Sequence, residues 1–192
     1  MQTATCPACG VVVEVVIMTM GTGVDAAEVA RCPHCGFSFA AEAAPPPAST
    51  LYPRVAVADD VEHVRQAVAR SLVAERLAAD VDQFSDGSHF IGAVRARSRE
   101  GCAYQLVILD LQMPVIDGVK AAHALRQMER QHGWPPTPIL FFSALVCDDR
   151  LRGLLKTLRP GFYLNKATIT SQADLSARLR ELLWYLAGRG RS

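Results

Sequence analysis

The sequence lacks an excess of charge of either sign: 20 Lys and Arg stand against 19 Asp and Glu over 192 residues, a formal net of +1. A chain that grips nucleic acid through its phosphates needs a basic surplus, so that class is disfavoured for the whole molecule. Long apolar runs are missing too, and none approaches the roughly 20 residues that span a bilayer. The longest early run, Val11–Met20, is interrupted by Glu14 and has no basic region before it. It also lies between cysteines, which is not the plan of a signal peptide. What remains, at 50% hydrophobic and 20% charged residues, is an ordinary globular composition with room for one domain plus something small. The expectation is a soluble, cytoplasmic protein with no membrane partner.

A disulfide framework is also absent. Of six cysteines, four form two Cys-x-x-Cys pairs, Cys6/Cys9 and Cys32/Cys35, while Cys102 and Cys147 stand alone and far apart. Paired thiolates on a metal in a reducing compartment fit this spacing better than an oxidised scaffold. Neither Cys102 nor Cys147 is assigned a role; the first reads as a loop thiol and the second as packing near a helix start.

Low-complexity sequence is confined to AAEAAPPPASTLYP, residues 40–53. Three consecutive prolines continue neither a helix nor a sheet ladder and favour an extended linker. The division is therefore residues 1–40 as a small module, 41–53 as linker, 54–188 as the main domain and 189–192 as a short tail. Some forty residues are too few to hold together by an apolar core alone, so the first module calls for a metal or a partner.

In the main domain, short apolar runs alternate with helical patterns. Arg54–Ala58, Gln105–Leu109, Pro138–Phe142 and Phe162–Leu164 read as strands covered on both faces, with a weaker candidate at Val81–Phe84. Val61, Val64, Val68 and Leu72 recur at helical spacing, as do Leu175, Leu179, Leu182 and Leu186. Five strands alternating with five helices imply right-handed crossovers and a doubly wound parallel α/β sheet. Such sheets put their sites at the carboxyl ends of the strands. The first strand there ends in Asp59-Asp60, the third in Asp110 and the fourth in Ser143, and the fifth is followed by Asn165-Lys166. One rim thus collects three carboxylates, a hydroxyl and an ammonium.

Clustered carboxylates repel one another unless a cation joins them. A small hard ion such as Mg²⁺ suits oxygen ligands of this kind. With part of the charge neutralised, an Asp oxygen can serve as a nucleophile toward phosphorus, and Lys and hydroxyl groups can support the equatorial oxygens. Taken singly, each residue has a plainer reading. An Asp-Asp pair after a strand is commonly a turn or helix cap, and a Lys there is commonly solvated. Their joint arrival on one rim outweighs those readings.

LVILDLQMPVIDG (106–118), preceded by Val-Ala-Asp-Asp (57–60) and followed by Phe-Phe-Ser-Ala (141–144) and Gly-Phe-Tyr-Leu-Asn-Lys (161–166), resembles the receiver domain of two-component response regulators. The elements occur in order over residues 54 to about 188. The resemblance implies a flavodoxin-like fold of five βα units and a phosphoacceptor signalling protein rather than an enzyme acting on a separate substrate. It further implies Asp110 as the phosphorylated residue, with Mg²⁺ held by Asp59, Asp60, Asp110 and the backbone carbonyl of Gln112. Ser143 becomes the switch hydroxyl, Lys166 the ligand of a phosphoryl oxygen, and Tyr163 the aromatic whose rotamer follows the switch. Ala144 leaves room for the phosphoryl group. One departure stands out: the family has proline in a cis bond after the lysine, and here Ala167 follows. A cis non-prolyl bond costs about 3–4 kcal/mol, so either this bond is trans or strain is stored beside Lys166. Two loops look enlarged, 97–103 and 132–136, the second carrying an exposed-looking Trp134.

The two cysteine pairs, CPACG and CPHCG, are near-copies. Two intervening residues let both thiolates reach one ion, and the following glycine suits the turn. A hairpin from Val11–Met20 around Gly21–Gly23 would fill the interval. The arrangement resembles a zinc ribbon with Cys6, Cys9, Cys32 and Cys35 closing a structural Zn²⁺ site; a redox pair and an iron–sulfur centre are the alternatives. His34 reads as a spectator. Residues 1–53 hold one basic residue, Arg31, against Glu14, Asp25, Glu28 and Glu42, so contact with nucleic acid is disfavoured and docking to protein is the better reading.

The combined expectation is a response regulator with a zinc ribbon as docking module, phosphorylated by a histidine kinase or phosphotransfer protein. The chain runs out at 188–192, so no output domain is expected after the receiver. Its output would be a changed contact with a protein partner or a phosphorylation-dependent homodimer. Two other classes stay open: a transcriptional regulator whose ribbon binds nucleic acid, and an unphosphorylated receiver-like scaffold.

Overall fold

A computed structural model describes residues 50–97 and 104–189 and, before these, residues 3–6, 8, 12–14, 16–20, 27–32 and 38–40. The main sheet comprises β6 (Tyr52–Ala58), β7 (Ala78–Phe84), β8 (Leu106–Leu109), β9 (Ile139–Ser143) and β10 (Gly161–Asn165). All its neighbours pair in parallel, in the order β10-β9-β8-β6-β7. The helices are α1 (Glu62–Ala74), α2 (Gly87–Ala96), α3 (Gly118–His132), α4 (Asp149–Thr157) and α5 (Gln172–Arg189). This is the five-stranded doubly wound architecture that the alternation of runs implies.

Strand alternation divides the core into two layers. Ala56, Ala58, Val107, Leu109, Ile139 and Phe141 point to one face, where Phe90 and Val94 of α2 and Ala121 and Leu125 of α3 meet them. Val55, Val57, Leu106, Ile108, Leu140 and Phe142 point to the other, against Val68 and Leu72 of α1 and Leu175, Leu179, Leu182 and Leu186 of α5. Period-2 side chains on strands apolar at every position are what a doubly covered sheet requires. β7 differs because it is an edge strand: its central residues are exposed or half-buried, which explains its weak apolar signal.

Several local expectations shift. The sheet begins at Tyr52, within the stretch read as linker, and Tyr52 pairs with Ala78. Val61 precedes α1 and is partly exposed, so the buried stripe begins further along, with Val68 and Leu72. Trp134 is half-buried, packs against the core and stacks on His132 at 4.6 Å. It covers the end of α3, which terminates at Gly133 with φ +67°. That left-handed conformation is the ordinary role of glycine after a helix.

A buried ion pair ties α3 to the start of β10. Arg126 reaches Glu129 at 2.7 Å and donates to the carbonyls of Leu158 and Pro160, while Glu129 also accepts from the Thr137 N–H at 2.7 Å. Both side chains are almost wholly buried, so the pairing satisfies charges that would otherwise be stranded.

Before residue 50 the described residues form two antiparallel sheets: β1 (Thr3–Thr5) with β2 (Val12–Glu14), and β3 (Val16–Met20) with β4 (Ala27–Arg31) and β5 (Ser38–Ala40). The β3–β4 pairing takes up part of the expected hairpin segment. Cys6 and Cys32 are buried. Cys9, Cys35, the Gly21–Gly23 turn, the prolines of the linker and Cys102 lie outside the described residues, and with them the four-sulfur zinc site. Cys147 packs in the core just before α4. Among the described residues, no helix is long and apolar enough to cross a membrane.

Candidate functional site

The order in which strands are added reverses at β6: β7 lies to one side of it, and β8, β9 and β10 follow on the other. Such a reversal opens a crevice at the carboxyl ends of the strands. Asp59 follows β6 and Asp110 follows β8, both fixed by ladder bonds. The Asp59 N–H donates to the Phe84 carbonyl at 3.1 Å, and the Asp110 N–H to the Ala58 carbonyl at 2.9 Å. Carboxylate oxygens of Asp59, Asp60 and Asp110 all lie within 4.8 Å of one another. Asp59 and Asp110 are buried, while Asp60 is exposed at the mouth.

Lys166 enters this cluster from beyond β10. Its ammonium lies 2.5 Å from Asp59 Oδ2 and 2.7 Å from Asp110 Oδ2, and 5.4 Å from the centre of the Phe142 ring. Each carboxylate has a second donor: Val61 N–H to Asp59 Oδ1 at 3.0 Å, and Gln112 N–H to Asp110 Oδ1 at 3.3 Å. Burial pushes the Asp59 carboxyl above its ordinary pKa, and the Lys166 ammonium works against that rise. The rim thus gathers more acid than one lysine neutralises, and three convergent oxygen donors fit a small hard cation.

The loop after β10 shows how Lys166 is aimed without proline. Its bond to Ala167 is trans. Residues Lys166–Thr168 form a short 3₁₀ turn, and Ala167 uses the N–H that proline would lack, donating to Asn165 Oδ1 at 2.8 Å. Thr168 Oγ1 donates to the Asn165 carbonyl, and Arg178 of α5 holds Thr168 at 2.8 and 3.0 Å. The expected alternative between a trans bond and stored strain is resolved in favour of trans. Asn165 had no assigned role in the sequence reading; an Asn before a turn is the signal that marks it.

Ser143, at the end of β9, is fully buried, and its Oγ accepts from the Leu145 N–H at 3.4 Å. Tyr163 points inward, its hydroxyl donating to the Leu145 carbonyl and lying 3.2 Å from the Ser143 carbonyl. The hydroxyl and the aromatic are therefore linked through the β9–α4 connection. Ala144 beside them is exposed. Gly118, another residue without an assigned role, opens α3 so close to the strand end that a Cβ there would overlap the Asp110 carbonyl oxygen. All five side chains expected on the rim stand at the carboxyl ends of the strands. Asp59, Asp60, Asp110 and Lys166 converge, and Ser143 with Tyr163 lies on the adjoining strands.

Comparison with known proteins agrees with this arrangement. Residues 55–162 match the family model described as response regulator receiver domain. The transcriptional regulatory protein PrrA of Mycobacterium tuberculosis is 34% identical over 132 residues, which are 68% of this chain and 50% of that protein. TcrA of the same organism, also a transcriptional regulatory protein, is 35% identical over 102 residues, 53% of this chain and 36% of its own. The chain spans half or less of the length of these curated relatives. Among solved structures, the Francisella response regulator 1452 receiver domain aligns with a TM-score of 0.53 at 25% identity, over 72% of this chain and 98% of that one. The receiver domain of the histidine kinase CKI1 from Arabidopsis thaliana, complexed with Mg²⁺ and BeF₃⁻, aligns with a TM-score of 0.55 at 20% identity, over 73% and 91%. With an acidic rim at a sheet reversal and a family match over more than half its length, this chain belongs to the response regulator receiver domain family.

Proposed function

We propose that the protein is a phosphoacceptor of a two-component phosphorelay, with Asp110 receiving the phosphoryl group of a phosphohistidine on a histidine kinase or phosphotransfer protein. The observation that carries this reading is the Lys166 ammonium bridging Asp59 and Asp110 on one buried rim. Asp59, Asp60, Asp110 and the Gln112 carbonyl would hold Mg²⁺, which would neutralise charge around the phosphoryl oxygens. Asp110 attacks phosphorus as its carboxylate, forming an acyl phosphate as the P–N bond to the donor histidine breaks and its imidazole leaves, while Lys166 takes up one phosphoryl oxygen and the Ser143 hydroxyl donates to another. Drawing Ser143 toward the phosphoryl group pulls on the segment to which Tyr163 donates, so Tyr163 follows. The new charge thereby biases the surface of α4, β10 and α5, and a coupling of about 1–3 kcal/mol is typical of such switches. The output is a changed contact with a protein partner or a second copy of the chain.

For the first forty residues we infer a zinc ribbon. Support comes from the duplicated CPxCG sequence and from the antiparallel strand pairs β1–β2 and β4–β5 on either side of each cysteine pair. Its acidic balance favours a protein-docking role over nucleic acid. We further infer a linker over 41–53, the receiver over 54–188 and a cytoplasmic location. The test of the phosphoacceptor reading is intact mass after incubation of the full chain with a small phosphodonor and Mg²⁺. One phosphoryl adduct on the native chain and none on Asp110→Asn supports it; a folded native chain that gains no adduct overturns it.

A further inference from the structure

We propose that Ala8, which lies in sequence between the first two cysteines, docks in cis on the carboxyl end of β10 and positions Lys166. β10 is an edge strand, and an edge leaves backbone N–H groups without a neighbouring strand. The N–H of Asn165, its last residue, does not stay open: it donates to the carbonyl oxygen of Ala8 at 3.0 Å. Ala8 is only 3% exposed. A second contact joins β5 to α5, the helix whose Arg178 holds Thr168. The N-terminal segment thus meets the receiver on the strand that ends in Asn165 and on the helix that braces the following turn.

Asn165 is consequently fixed on three sides. Its N–H is held by Ala8, its side chain by the Ala167 N–H and its carbonyl by Thr168. The next residue is Lys166, whose long stem carries an ammonium to within 2.5 and 2.7 Å of the two carboxylates. Where that ammonium sits depends on where its Cα is anchored, and a misplacement of about 1 Å at a reacting site costs up to about 10²-fold in rate. The Ala8 contact is the anchor supplied from outside the receiver. Lys166 is the residue in the site; Ala8 acts through it.

The sequence supplies a well-matched test. The second CPxCG copy carries His34 where the first carries Ala8, so this position of the motif accepts a large side chain, whereas Ala8 itself is buried and a larger side chain there must displace its surroundings. In full-length Ala8→His, amide exchange at Asn165 should quicken about tenfold or more while that of Ile108, in the central strand, stays slow. Labelling of Lys166 by an amine-acylating reagent should rise at least about threefold as the ammonium leaves its carboxylates. Asn165 exchange as slow as in the native chain would overturn the docking. Faster Asn165 exchange with unchanged Lys166 labelling would overturn the positioning. If Ile108 also loses protection, Ala8→Val replaces the variant with the same two readouts. Slower phosphorylation of Ala8→His is a further consequence that rests on the phosphoacceptor reading. Exchange and labelling do not, so the two failures are distinguishable.

Discussion

Lys166 Nζ lies 2.7 Å from Asp110 Oδ2 and shares its charge with Asp59, so the lysine offsets part of the carboxylate charge before any phosphoryl group arrives. Lys166→Met removes that ammonium and leaves two carboxylates facing each other on a buried rim. Phosphoryl incorporation from a small donor should slow by about 10²-fold, as for loss of one charged stabilising group. Rapid-quench labelling of both proteins measures it; an unchanged rate would remove Lys166 from the chemistry.

Gly118 meets the Asp110 carbonyl where a side chain has no room. Gly118→Ala should destabilise the receiver by about 1–3 kcal/mol, the usual range for overpacking. Urea unfolding of the two proteins is the check. Equal midpoints would mean that the start of α3 can shift away from the strand end at no cost.

The pair Arg126–Glu129 predicts a larger effect. Arg126→Met leaves Glu129 charged and buried and strips donors from the Leu158 and Pro160 carbonyls. A loss of about 3–5 kcal/mol is expected on breaking one side of such a pair. Thermal or urea unfolding reads it, and a loss below about 1 kcal/mol would show that the pair is solvated, as surface pairs are.

Asp86 caps α2 and sets a pH dependence. Burial raises its pKa, but the Ser88 hydroxyl, the N–H groups of His89 and Ser88 and the His89 ring outweigh this and bring it to about 2, against an ordinary value of 3.8. The folded value lies below the unfolded one, so the stabilisation is present above pH 3.8 and is lost as pH falls toward 2. Asp86→Ala should therefore cost about 1 kcal/mol at neutral pH, and the gap between variant and native chain should narrow across that acid window. A gap independent of pH in urea titrations would contradict the assignment.

Much of the fold was legible because a doubly covered parallel sheet demands apolar residues at nearly every strand position, and four of its five strands show them. The acidic rim was legible because strand ends are where the apolar runs stop, so Asp59, Asp110 and Ser143 announce their own location. The Arg126–Glu129 pair was not. Spaced three apart on a helix, it reads as a solvated pair, and the carbonyls that bury it lie more than thirty residues away. Ala167 left two outcomes open, a trans bond or stored strain, and the choice rests on a contact with no sequence signal of its own: the Ala167 N–H donates to the Asn165 side chain, which caps the turn. The contact between Asn165 and Ala8 joins residues 157 positions apart across a proline-rich stretch, and no local pattern encodes it.

The central claim is that Asp110, among three clustered aspartates, is the phosphoacceptor. Borohydride reduction of the phosphorylated full-length chain, followed by peptide mass spectrometry, locates the acyl phosphate directly. The account predicts homoserine at position 110 and unmodified aspartate at 59 and 60. Reduction at Asp59 or Asp60, or a phosphoryl adduct that survives on a residue other than aspartate, would contradict it.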